Sequence, residues 1–423
     1  MIVDMRARNE SIGIDAFLLA VYFALAPMHQ TLVLPSGGTV VKYLAFAVML
    51  ACMAKGYLEN KRFIVILDLI WPVMTMLGWF ALSIIWSDSR STTVSSLIST
   101  GSYCALMLIV GSRRWNRKEK TLILAVLILS CVYYSFQLIR SSASVKRATL
   151  SFALQEDESK EADQNTVALN IGLGALVAFY VFLKRKNGFI KWAALAAMLF
   201  IMAGILTTGS RGGLLAFLAG AAYLVIKESE VNFRLRSYIL LIAVGLLIAY
   251  WLVFELNILH NDFLVSRFKN ADVSSMSGRT EIWGQYLGTL FSRPVGFLCG
   301  YGFGCDTVAH AAYMGRNWMR ASHNDYISML CYAGIPGLLL TGAFVLHIWH
   351  YVRKGGRLLG CAYIILVLIG SMDINFFKTY GWWNAMILAY IGIDGSLAET
   401  RSEAMLLLPF RRQGRQSRGR SVS

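Results

Sequence analysis

The chain has 423 residues, of which 57% are hydrophobic and only 15% charged, with a net charge of +16. Soluble domains carry roughly a quarter charged residues, so this composition excludes an ordinary soluble enzyme and points to a chain solvated by lipid. The basic excess does not mark a nucleic-acid partner, because it follows the topology of the chain.

Apolar stretches of about 17–25 residues, enough to cross a ~30 Å hydrocarbon core as helices, recur almost throughout. Twelve spans are predicted, at 15–33, 38–55, 63–86, 94–111, 121–139, 165–183, 190–207, 212–226, 237–258, 325–350, 357–375 and 378–395. The predicted fold class is an all-α polytopic membrane protein with both termini in the cytoplasm. Its short cytoplasmic segments, such as "RRWNRKEK" and "KRKNG", then hold most of the 40 Lys and Arg, while the short outer turns hold almost none. That is the positive-inside pattern. The first apolar segment has no small-residue cleavage site after it and reads as an uncleaved signal anchor.

Three segments fall outside the spans. Residues 140–164 carry the acidic run "EDESKEAD", a solvated surface. Residues 259–322 form a long outer loop between spans 9 and 10. A membrane domain of residues 1–399 precedes a basic tail, residues 400–423, expected to be disordered near anionic headgroups. Cys52, Cys104, Cys131, Cys331 and Cys361 fall in spans and pack as small apolar groups. Cys299 and Cys305, in "CGYGFGC", are either a disulfide of an oxidising compartment or two free thiols in a glycine-rich turn. No zinc-ligand spacing occurs, and neither a metal nor a cofactor is expected.

Within the long loop, Ile282, Trp283, Tyr286, Leu287, Leu290 and Phe291 recur at helical spacing. They predict an amphipathic helix that lies in the interface or docks onto the bundle, ending at Pro294. Three polar groups stand at the same membrane face. Arg211, in "ILTTGSRGGLLAF", either snorkels and caps, or binds an anion at a helix N-terminus bared by Gly209, Gly212 and Gly213. Arg279, in "SMSGRTEIWG", is either a solvated loop residue or a second anion ligand. His323, in "RASHNDYISMLCYAGIPGLLL", sits where a polar cluster meets an apolar run. Asn324 or Asp325 serves there as N-cap, and Asp325 is also a candidate to orient the imidazole. Arginine suits phosphate through its planar fork, and histidine suits the movement of one proton near neutral pH. Together they describe a group-transfer site.

"TGSRGGLLAF", "SGRTEIW" with the following "RPVGFLCGYGFG", and "SHNDYISMLCYAGIPGLLL" resemble, in order, three signatures of the O-antigen ligase and lipid-linked polysaccharide polymerase family of bacterial inner membranes. "LSIIWSDSR" also resembles that family's early outer motif. The resemblance implies a metal-independent, inverting glycosyltransferase acting at the periplasmic face on a glycan carried by undecaprenyl pyrophosphate. By carry-over, Arg211 and Arg279 hold the pyrophosphate with help from Arg267, Asn324 and Asp325 line the substrate site, and His323 deprotonates the acceptor. The acceptor is another glycan in a polymerase or lipid A–core in a ligase. Membrane lipids, a chain-length regulator and a flippase are the implied partners. "RPVGFLCGYGFG" looks more like the exopolysaccharide polymerases of the succinoglycan type. A transporter, the remaining alternative, would use intramembrane ionisable residues such as Asp68 and Asp373 and show paired repeats; no repeat is apparent.

Overall fold

The computed structural model describes residues 11–28, 32, 34, 39–60, 64, 65, 67–142, 163–185, 188–229, 278–315, 321–375, 377–392, 406 and 407. The first ten residues, the span expected at 237–258, Arg267, and most of the acidic run and of the tail lie outside these described residues.

The described residues are mainly helical: α1 (Ile14–Leu25), α2 (Val40–Asn60), α3 (Leu67–Leu82), α4 (Arg90–Ser112), α5 (Arg117–Ser142), α6 (Gln164–Lys184), α7 (Phe189–Thr207), α8 (Arg211–Ser229), α9 (Arg279–Ser292), α10 (Pro294–Cys299), α11 (Asp306–Tyr313), α12 (Asp325–Lys354), α13 (Leu358–Gly370) and α14 (Tyr380–Ile391). Among the described residues, six helices are long and apolar enough to cross a membrane, namely α2, α4, α5, α6, α7 and α12. Shorter apolar helices occupy Ile14–Met28, Leu69–Ile85 and Leu358–Gly370. This is a multi-pass helical membrane protein; the total of twelve spans stays an expectation from sequence. Ile64 and Val65 pair antiparallel with Leu407 and Leu406, which ties two residues of the tail to the α2–α3 connection.

A helix that is apolar all round belongs in the interior. That describes α6, which is buried continuously from Gln164 to Tyr180 between α5, α7, α8 and α13. Peripheral helices instead leave large side chains such as Phe46, Trp71, Leu129 and Ile98 exposed, as a lipid-facing surface does. Lipid gives no hydrophobic drive for one helix to join another, so close backbone approach has to supply the contact. Gly204 packs on Ser135, Gly213 on Ala168, and Gly220 on the Ala362 carbonyl and Leu176.

The helix ends fall into two groups. At one end a clasp of four charges joins α1, α2, the α4–α5 turn and α5. Lys55 bridges Asp15 at 3.2 Å and Glu119 at 3.1 Å, and Arg113 reaches the same two acids, both of which are fully buried. Arg114, Arg117, Lys184, Arg185, Arg353 and Lys354 lie at or next to helix termini at this end, where the sequence places its short basic segments. The other end carries Arg211, Arg279 and His323.

Here the described part of the long loop, residues 278–315, plugs a break in α12. Gly334 adopts a left-handed φ of 64°, and Pro336 lies inside the same helix. A proline has no N–H for the carbonyl four residues back, so the break orphans the carbonyls around Tyr332. Each finds a donor elsewhere. Tyr301 N–H donates to the Cys331 carbonyl at 2.7 Å, Gly302 N–H to Tyr332 at 3.1 Å, and the Trp79 indole to Ala333 at 2.8 Å. The "LSIIWSDSR" stretch seats the same turn. Trp86 Nε1 donates to the Cys299 carbonyl, Asp88 N–H to Tyr301, and Phe303 N–H to Ser83 Oγ. Cys299 and Cys305 are free thiols, not a disulfide; the buried Cys305 Sγ lies 3.4 Å from the hydroxyls of Ser87 and Thr93.

Candidate active site

Arg211 is the first residue of α8, and Ser210 caps that helix by accepting the Gly213 N–H at 3.1 Å. The next residue, Gly212, has no side chain because the Asp373 carboxylate occupies the space. A Cβ there would overlap the carboxylate and come within 2.6 Å of Asp373 Cβ. Asp373 follows α13, which brings the turn after that helix against the start of α8.

Arg279 opens α9 as Arg211 opens α8, preceded by Gly278 in a left-handed N-cap conformation at φ 79°. Its guanidinium forms an ion pair with the same carboxylate, Asp373, and the two side chains are 17% and 22% exposed. One acid thus joins Arg279 to the backbone beside Arg211. The predicted amphipathic helix is α9, and it docks. Ile282, Tyr286 and Leu290 are buried in a small core with Tyr301, Ala309 and Cys331, whereas Leu287 and Phe291 face out. It stops at Ser292, and Pro294 opens α10.

His323 is the one non-glycine residue with positive φ among the described residues, at 52°. Such a backbone costs roughly 1–3 kcal/mol and persists only where the surroundings over-determine it. They do so here. Trp283, one turn after Arg279, donates its indole N–H to the Ser322 carbonyl at 3.0 Å. Asn324 N–H donates to Asn375 Oδ1 at 2.9 Å, and Asn324 Nδ2 donates to the Met372 carbonyl at 3.2 Å. Asn324 is also the N-cap of α12, its Oδ1 accepting from Tyr326 and Ile327. Asp325 N–H donates to the Ser371 carbonyl, and its Oδ2 accepts the Phe377 N–H, both at 2.8 Å. Asn324 and Asp325 therefore fasten the start of α12 to the 371–377 turn, the turn that carries Asp373. His323 is held beside them.

Beneath this layer, Ser322 Oγ lies 2.7 Å from Ser328 Oγ, and Ser328 donates to Asp306 at 2.8 Å. Asp306 is almost fully buried and lies 3.8 Å from Lys378. His310 stacks on Tyr286 at 4.2 Å and meets Thr289 at 3.2 Å. Burial, and secondarily the charge of Asp306, pushes the Tyr286 hydroxyl far above its ordinary range. This polar layer locks α9 and α11 onto α12.

The structure thus joins the segments of Arg211, Arg279, His323, Asn324 and Asp325; Arg267 lies outside the described residues. Asp373 and Asn375, which do the joining, are not among the candidate site residues that the sequence offers. Asp373 was visible there only as an acid in an apolar span. Arg279 pairs with Asp373, the start of α8 that bears Arg211 packs on the same carboxylate, and His323 is held at positive φ on the adjoining segment, so the three candidate residues stand on segments joined at one end of the bundle. No curated protein matches the chain. Residues 195–342, which contain Arg211, Arg279 and His323, match the family model described as O-antigen ligase, and over that segment the chain carries the resemblance to the O-antigen ligase and polymerase family.

Proposed function

We propose that the protein is an inner-membrane glycosyltransferase that polymerises undecaprenyl-pyrophosphate-linked oligosaccharide repeat units into exopolysaccharide at the periplasmic face. The observation that carries the reading is the convergence on Asp373 of Arg279 and of the α8 start with Arg211. Arg211 and Arg279 grip the pyrophosphate through charge-assisted hydrogen bonds, and Asp373 sets the plane of the Arg279 guanidinium before substrate arrives. His323 removes the proton of an acceptor hydroxyl. That oxygen bonds to the anomeric carbon while the bond from this carbon to the pyrophosphate oxygen breaks, with inversion. Negative charge grows on the leaving group, so arginines that bind it more tightly in the transition state lower the barrier. The positioned base adds ~10²–10⁴-fold. The guanidinium groups supply the positive charge, and the scheme needs no metal. Chain-length regulator and flippase proteins are the expected partners.

A second reading, transfer of the finished glycan to lipid A–core, is favoured by the description of the matched family. Purified protein is incubated with lipid-linked repeat units and the products are resolved on a gel. A polymerase yields a ladder from these units alone, and a ligase yields product only when lipid A–core is added. His323→Ala should give no product while still inserting in the membrane; wild-type activity in that variant would refute the role of His323.

A further inference from the structure

Three helix ends meet beside the arginines. α6 and α8 run parallel in contact, with Ala168 against Gly213 (2.6 Å from a Cβ built there) and Leu176 against Gly220 (3.0 Å). α13 runs antiparallel along another flank of α6, with Leu169 against Gly370 (2.6 Å) and Leu366 against Gly172 (3.3 Å). Residues four apart share a helix face. Gln164 therefore stands one turn beyond Ala168, beside the turn that leads into Arg211. Asn165 stands one turn beyond Leu169, beside the turn from Ser371 to Asp373.

These positions are polar and closed off from solvent. Gln164 is 6% exposed, Asn165 8% and Ser371 3%. Gln164 Oε1 and Ser371 Oγ have no hydrogen-bond partner. Unpaired buried polar atoms are rare in native proteins; among the described residues Asn170 Nδ2 and Gln285 Oε1 are the other two, and only Gln164 and Ser371 border one junction beside the arginines.

We infer that Gln164, Asn165 and Ser371 form a hydroxyl-binding subsite for the sugar joined directly to the pyrophosphate. The inference rests on the reading of Arg211 and Arg279 given above. Amide and hydroxyl groups together supply both donors and acceptors, which is what a sugar's hydroxyls need. The placement selects the sugar: residues flanking the arginine turn reach the unit next to the pyrophosphate, whereas the acceptor approaches from His323.

The test uses the full-length protein and three probes: undecaprenyl pyrophosphate bearing the oligosaccharide, undecaprenyl pyrophosphate alone, and the free oligosaccharide. Wild type should bind the glycan-bearing lipid more tightly than the bare one. Gln164→Leu and Ser371→Ala should each reduce that gain by roughly 2- to 12-fold, the worth of one hydrogen bond, and leave affinity for the bare lipid intact. Because the deleted atoms have no partner in the protein, both variants should also melt at or above the wild-type Tm. Asn170→Leu is the control, because Asn170 shares the opposite flank of α6 with Gly174, which packs on Cys131; it should change neither affinity. A gain that survives in both variants, or an equal loss for the two lipids, would overturn the subsite. The free oligosaccharide, which has the same sugar without the pyrophosphate, should bind far more weakly than the glycan-bearing lipid; equal affinity would overturn the assignment of the subsite to the unit beside the pyrophosphate. If wild type binds neither lipid, it is the arginine reading that fails.

Discussion

A single methyl group added at Gly212 should disarm the site without altering any charged residue. The Cβ of Gly212→Ala would occupy the space of the Asp373 carboxylate, so Asp373 has to shift away from α8. Asp373 is the ion-pair partner of Arg279, and both side chains are less than a quarter exposed, so solvent screens the loss only in part. A charge-assisted hydrogen bond contributes about 1.5–3 kcal/mol. If the pair fixes the guanidinium for the transition state, kcat/KM should fall roughly 10- to 150-fold. Thermal stability should change little, because alanine is the better helix former by about 1 kcal/mol and offsets some of the crowding. The assay is the initial rate of ladder formation from lipid-linked repeat units. Repeating Gly212→Ala in an Asp373→Gly background removes the obstacle, and there the methyl should cost nothing further. Residues in contact couple in this non-additive way. Wild-type rates in Gly212→Ala, or full additivity of the two changes, would refute the route through Asp373.

Arg279→Lys keeps the charge but loses the planar fork; the rate should drop at least tenfold, measured in the same assay. Trp79→Phe leaves the Ala333 carbonyl at the helix break without its donor, and Tm should fall by an amount equivalent to about 1–3 kcal/mol. Arg113→Ala strips one cation from Asp15 and Glu119, which are fully buried. Breaking such a cluster costs about 3–5 kcal/mol, so Tm should drop sharply while the activity of the protein that remains folded is unchanged.

Much of this architecture could be read from the chain because its cause is local. The apolar run lengths place α2, α4–α7 and α12, and the stripe Ile282–Tyr286–Leu290 announces the buried face of α9. Asn324 caps α12 because a short side-chain oxygen before an apolar helix has few other uses. The joining residues are not local. Nothing near Asp373 in sequence says that it will meet Gly212 and Arg279, and Gly212 read simply as bare backbone for a ligand when its space belongs to a carboxylate. Gln164 carries no local signal for a similar reason. It follows Asp163, the last residue of the acidic run and the N-cap of α6, so the stretch read as solvated surface. The break in α12 was written in "AGIPG", yet its complement, the glycine turn that feeds it N–H groups, lies upstream of the span and is matched to it only by folding.

The break in α12 is also the point about which its outer half would turn. His323 stands about 16 Å from Gly334 at 1.5 Å per residue, so a tilt of about 10° at the break would carry it ~3 Å, the length of a hydrogen bond. Its tip is not independent, because Asn324 and Asp325 are fastened to the Ser371–Phe377 turn. Any swing of the histidine drags Asp373, and Asp373 drags Arg279. Under the proposed roles, the base and the anion grip would be geared to one pivot, and neither could be adjusted without the other.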